Sequence, residues 1–116
     1  MDPEIRIIES PTPIAELRQI AATGFGDMVK IVVDVEKGVL AAGGELHADE
    51  EAWLLDRGSQ QQDLWGANIY VNEPRESRIE FDSMINLRPS QGNLSRSVRD
   101  QDTRNKILGI VNKLVQ

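Results

Sequence analysis

Cysteine is absent from the 116 residues. Disulfides, thiol catalysis and the common zinc motifs go with it, and the omission fits a reducing cytoplasm. Long apolar runs are absent too. None approaches the roughly 20 residues of a membrane-spanning helix, so no membrane insertion is expected. The start "MDPEIRIIES" lacks the basic segment and apolar stretch of a secretory signal. Aromatic residues make up only 4%, and Trp53, Trp65 and Tyr70 are too few and scattered for a base-stacking platform. Positive charge is in short supply, with 13 Lys and Arg against 19 Asp and Glu and a net charge of −6. No basic footprint meets a phosphate backbone, so nucleic acid is not an expected partner. A Walker loop and a G-x-S-x-G elbow are also missing, and "GFGD" at 24–27 reads as a glycine-rich turn.

What is present is an ordinary soluble composition, 40% hydrophobic and 28% charged, at a length that suits one domain spanning 1–116. The run at 4–9 is β-rich. Thr12 and Pro13 suit the start of a helix that carries Ile14, Leu17, Ile20 and Ala21 at helical spacing. "MVKIVVDVE" at 28–36 alternates, "EKG" is a turn, and 39–46 returns as a partner strand. "HADEEAWLLDRG" has carboxylates in its first turn and Gly58 beyond its last, the signature of another helix. The runs 64–71 and 78–87 read as a hairpin. The final helix shows the stripe Ile107, Ile110, Val111, Leu114 and Val115, with Asp100 or Asp102 as cap. These elements predict an α+β fold of order βαββαββα, with a mostly antiparallel or mixed sheet and three helices on one face. The first six follow the ferredoxin-like order.

With the helices on one face, alternation assigns Asp34, Asn68, Tyr70, Asp82, Met84 and Asn86 to the open face, beside Lys30, Glu80 and the small residues Ala41 and Gly43. Such a face is polar for solubility in any antiparallel sheet; small strand residues also let a ligand or another backbone approach. His47, the only histidine, is a candidate acid–base group with Glu45 or Asp82 to orient it, Glu45 being taken as the partner. Glu45, His47, Asp49, Glu50 and Glu51 match no metal-loop spacing, and acids in a first helical turn already suit the helix dipole, so no metal is predicted. Residues 83–99 gather three arginines and no carboxylate. Arg88, Ser90, Gln91, Asn93 and Arg96 are therefore candidates to hold an external anion. Pairing of those arginines with the chain's own acids explains the same pattern.

The strings "FGDMVK", "VVDVEKGVLAAGGELHADEE", "LWGANIY" and "IEFDSMINLRPSQGNLSR" resemble a family of small prokaryotic proteins of unknown function, over nearly the whole chain. The resemblance implies a microbial, stand-alone cytoplasmic protein, and no activity, cofactor or catalytic residue. The residues themselves point to a small cytoplasmic binding or interaction protein, homodimeric through the open sheet face or the strand at 78–87. The alternative is an enzyme or binder of a small phosphate- or carboxylate-bearing metabolite, held by the Arg88–Arg96 loop with His47 and Glu45 as the acid–base pair. Cleavage of RNA by a Glu, His and Arg set is a weaker third reading, opposed by the acidic charge.

Overall fold

The computed structural model describes residues 5–116. Its elements are β1 (Arg6–Ile8), α1 (Ile14–Ala22), β2 (Met28–Asp34), β3 (Val39–Ala42), α2 (His47–Asp56), β4 (Leu64–Tyr70), β5 (Ile79–Glu80) and α3 (Gln101–Leu114). Single 3₁₀ turns lie at Gln61–Asp63, Arg75–Ser77, Met84–Asn86 and Pro89–Gln91. The α+β class and the βαββαββα order are those expected from the sequence. The run expected at 4–9 supplies β1, and residue 4 lies outside the described residues.

The sheet is wholly antiparallel, in the order β1-β3-β2-β4-β5. The ferredoxin-like arrangement suggested by the first six elements does not form, because β2 is central and β1 is an edge strand on β3. A tight turn joins β2 to β3. Asp34 Oδ1 accepts the backbone N–H groups of Glu36 and Lys37, each at 2.9 Å. Its Oδ2 accepts the Ser59 hydroxyl at 2.6 Å. Asp34, expected on an open face, is thus buried as the organiser of this turn.

Alternation divides the sheet into two faces. Val29, Ile31 and Val33 of β2, Leu40 and Ala42 of β3, and Trp65, Ala67 and Ile69 of β4 face α1 and α3, whose Leu17, Ala21, Ile107, Val111 and Leu114 complete the main core. Full burial of side chains such as Ile31 and Ile107 contributes about 1.5–3 kcal/mol each. Asp100 caps α3, its carboxylate accepting the Thr103 N–H at 2.9 Å. The opposite face is not open. Val32, Ala41 and Leu64 meet Leu54 of α2 there, with Ile85 against them. Only α1 and α3 share a face; α2 lies on the other, because Val32, Ala41, Leu64 and Gly66 of the inner strands are apolar or small enough to receive it.

The strand expected at 78–87 is also different. It pairs with β4 only at Glu80–Asn68 and Ile79–Ile69, then leaves the ladder. Ser83 Oγ accepts the Ile85 N–H at 3.3 Å and caps the Met84–Asn86 turn. Side chains then take over the pairing of β4. Asn86 Oδ1 accepts the Gly66 N–H and Asn86 Nδ2 donates to the Gly66 carbonyl, both at 2.9 Å. Two residues along β4, the Arg88 guanidinium donates to the Leu64 carbonyl. Glycine is required at position 66, where a Cβ would stand 2.6 Å from the Ser83 side chain. Asn86, assigned by alternation to an open face, is completely buried.

Removing that carboxamide leaves two buried backbone groups unpaired. Asn86→Ala is expected to lower stability by about 2–4 kcal/mol, read from urea unfolding. A loss below about 0.5 kcal/mol, the range of ordinary surface changes, would show that Asn86 is not structural.

Candidate functional site

The floor of the site is set by strand register. Lys30 of β2 lies opposite Asn68 of β4, and Asn68 lies opposite Glu80 of β5. The three side chains form a row on the α2 face of the sheet. Leu46, His47 and Ala48 wall one side, at the start of α2. Asp82, Met84, Ile85 and Arg96 wall the other, and Tyr70 lies beside the row. Together they enclose a cleft of about 400 Å³. A second cavity of about 540 Å³ adjoins it, between the end of α1 and the Gly43–Gly44 turn, with Ile20, Phe25 and Val29 in its wall. Met28, Lys30 and Leu46 belong to both cavities.

His47 is buried, and its ring Nε2 lies 2.9 Å from the Ala67 carbonyl oxygen. A carbonyl only accepts, so Nε2 carries the hydrogen. In the neutral ring Nδ1 is then a bare lone pair. Burial pushes the imidazole below its ordinary value of 6.5, with Lys30 adding to the push; the Ala67 carbonyl, the Asn68 side chain, which accepts a hydrogen bond from the charged ring but not from the neutral one, and Asp82 oppose it. Asn68 is 6% exposed. Its Nδ2 donates to Glu80 Oε1 at 2.9 Å and more weakly to the Asp82 carbonyl at 3.4 Å. Its Oδ1 is buried with no hydrogen-bond partner among the described residues. The Tyr70 hydroxyl also donates to Glu80 Oε1, at 3.2 Å. Arg96 Nε pairs with Asp82 Oδ1 at 2.7 Å on the rim.

The structure brings together His47, Asn68, Tyr70, Asp82, Met84 and Arg96, six of the residues singled out from sequence. It does not join His47 to Glu45, which is exposed on the adjoining cavity. The arginine loop is divided as well. Arg88 is buried and donates to the carbonyls of Ile85, Gln61 and Leu64. It also pairs with Glu51 at 3.5 Å and stacks 4.7 Å from the Trp65 ring centre. Asn93 Nδ2 holds the carbonyls of Asn86, Ser95 and Ser97, at 2.6, 3.0 and 2.7 Å. Gln91 Nε2 donates to the Gln62 carbonyl at 3.2 Å, and Ser90 is exposed. Arg88, Gln91 and Asn93 thus bind their own chain, while Arg96 turns to the cleft. Lys30 and Glu80 complete the cleft; their strand parity already put them on this face.

Glu50 escaped sequence reasoning, which took it as one of several acids suited to the dipole of a first helical turn. It is fully buried. Its Oε2 accepts the Gly44 N–H at 2.9 Å, while Oε1 has no partner among the described residues. Gly44 is tight against it, since a Cβ there would stand 2.8 Å from Glu50 Cγ. Burial raises the Glu50 pKa from 4.5 to about 9, against the opposing Gly44 hydrogen bond and the Lys30 charge. Among the described residues no group of three or more His, Asp or Glu side chains is arranged to hold a metal ion. No described helix is long and apolar enough to cross a membrane.

The model of one family matches residues 6–114, nearly the whole chain. The chain belongs to the family described as "Protein of unknown function (DUF5674)". The comparison with curated proteins finds no match, and neither does that with solved structures.

The buried carboxyl has a measurable signature. The unfolded group ionises near 4.5 and the folded one near about 9. Its contribution to stability is therefore whole below 4.5 and is lost progressively as pH rises towards about 9. Glu50→Gln mimics the protonated acid and escapes this loss. Its advantage over the native chain is expected to grow from near zero in mild acid to on the order of a few kcal/mol in mild alkali. Unfolding curves collected across that range check it; a pH-independent difference would contradict the assignment.

Proposed function

We propose that the cleft bounded by His47, Asn68, Glu80 and Asp82 binds a small polar molecule, and that this is the protein's principal activity. The observation that carries this reading is the pairing of two buried side chains with unused capacity in one cavity. Asn68 has an unpartnered Oδ1, and neutral His47 has an Nδ1 lone pair. Native proteins rarely bury a polar atom without a partner, and a concave site with a few convergent polar groups is the ordinary setting of a ligand. The carboxylate- or phosphate-bearing ligand suggested by the Arg88–Arg96 loop fits the same reading if Lys30 supplies the cation. Lys30 forms no ion pair among the described residues and sits between the two cavities. We take the protein to work in the reducing cytoplasm of a prokaryote, which the absence of cysteine and the sequence resemblance support.

A second reading, self-association, is favoured by apolar side chains left in solvent near the cleft. Leu46 is 57% exposed and Met84 63%. Dissociation of a dimer by Met84→Asp in sedimentation would support it, and a native chain that sediments as a monomer at micromolar concentration would remove it.

Met84→Trp tests the binding reading, because it fills the rim of the cleft without touching the core. A bound ligand at a hundredfold excess over its Kd stabilises by about 2.7 kcal/mol, a shift of several degrees in Tm. A thermal-shift screen of polar metabolites should find compounds that raise the Tm of the native chain and not that of Met84→Trp. A screen with no shift, or an equal shift in both proteins, would remove the cleft as the site.

A further inference from the structure

The groups around the cleft floor are unequal in what they still need. Glu80 receives two hydrogen bonds, from Asn68 and Tyr70, and both go to Oε1. Asp82 receives the Arg96 Nε on Oδ1. Glu80 Oε2 and Asp82 Oδ2 accept no hydrogen bond from the described residues and belong to side chains open to solvent, whereas Asn68 Oδ1 is buried without a partner among the described residues. Nδ1 of neutral His47 is a further acceptor. All four atoms accept and none donates, so a ligand placed among them meets acceptors only. Tyr70 spends its proton on Glu80, and Asn68 spends its amide hydrogens on Glu80 and Asp82.

A divalent cation would meet the same carboxylates, but His47, Glu80 and Asp82 are not arranged as a ligand group among the described residues. An N–H cation does what a neutral O–H donor does not: it satisfies several acceptors at once and makes charge-assisted bonds to the two carboxylates. Lys30 fixes the orientation. Its backbone lies two strands from that of Glu80 along the row Lys30, Asn68, Glu80, and its ammonium stands over the Phe25 ring, 5.5 Å from the centroid, at the adjoining cavity. At the spacing of adjacent strands the two backbones are roughly 10 Å apart. A second cation is repelled at the Lys30 end and attracted at the Glu80 end, while an anionic group is drawn to Lys30.

Resting on the cleft as a binding site, we propose that its ligand is a small zwitterion, with a primary ammonium held by Asn68, Glu80 and Asp82 and an anionic group directed at Lys30. The remainder of the molecule extends past Lys30 towards the adjoining cavity, whose Ile20, Phe25 and Val29 supply apolar contact. Glu80 is exposed at the mouth and Asn68 is buried at the floor, so the carboxylate recruits the cation and the carboxamide orients it.

Three matched probes separate the parts: 4-aminobutyrate, butylamine and butyrate, each titrated at millimolar concentration into the full chain and followed by backbone amide shifts in NMR. The two ammonium compounds are expected to move the amides of Asn68 and Glu80, with 4-aminobutyrate the tighter, and butyrate to move neither. Glu80→Gln, a change at an exposed position that keeps the side-chain shape, is expected to weaken both ammonium probes about tenfold. Lys30→Gln is expected to abolish the preference for 4-aminobutyrate over butylamine. Butyrate binding as tightly as butylamine, or ammonium probes indifferent to Glu80→Gln, would overturn the zwitterion and leave the cleft as a binding site. Failure of all three probes alongside neutral compounds that bind in the Met84-dependent screen would do the same. Failure of every compound in both experiments would overturn the binding reading itself.

Discussion

The fold turns on how the outer edge of β4 is satisfied. A two-residue partner strand cannot cover a seven-residue strand, and an uncovered edge leaves N–H and C=O groups open to other chains. Here the carboxamide of Asn86 stands in for a peptide group opposite Gly66, and the guanidinium of Arg88 covers Leu64. The segment that supplies them therefore folds across the sheet instead of running along it. This puts Ile85 against Leu64 and Val32 and closes one wall of the cleft. Edge protection, the second small core and the candidate site share a single cause.

That cause explains which parts of the sequence were legible. The stripe of Ile107, Val111 and Leu114 and the alternation of Val29, Ile31 and Val33 gave α3 and β2 directly, because burial on one face leaves a periodic trace. Ile79, Phe81, Ser83, Ile85 and Leu87 leave the same trace but form a strand only at the start. The period is interrupted by hydrogen bonds from Ser83 and Asn86 side chains, which hydropathy does not record. The placement of α2 was hidden for a different reason. Trp53 and Leu55 are apolar yet exposed while Glu50 is charged yet buried, so its residue types misstate its buried face.

The candidate site was half legible. Parity alone collects Lys30, Asn68, Tyr70, Glu80 and Asp82 on one face, since side-chain alternation is a local property of strands. The arrival of His47 above them is a long-range event that depends on α2 crossing to that face. The arginine loop shows the reverse case. Its composition suits an external anion, but three backbone carbonyls and one carboxylate of the same chain already occupy Arg88. Buried arginine with this many partners is a structural cross-link, and Arg96, paired with Asp82, is the loop arginine that reaches the cleft rim.

The Gly44–Glu50 contact bears on more than local packing. A carboxyl that is ionised in the unfolded chain and protonated in the folded one makes folding near neutral pH a proton-uptake reaction. The folded molecule is then one unit less negative than its formal −6. The enthalpy of refolding will carry the ionisation heat of whatever buffer surrenders the proton, so calorimetry in two buffers of different ionisation heat counts it directly.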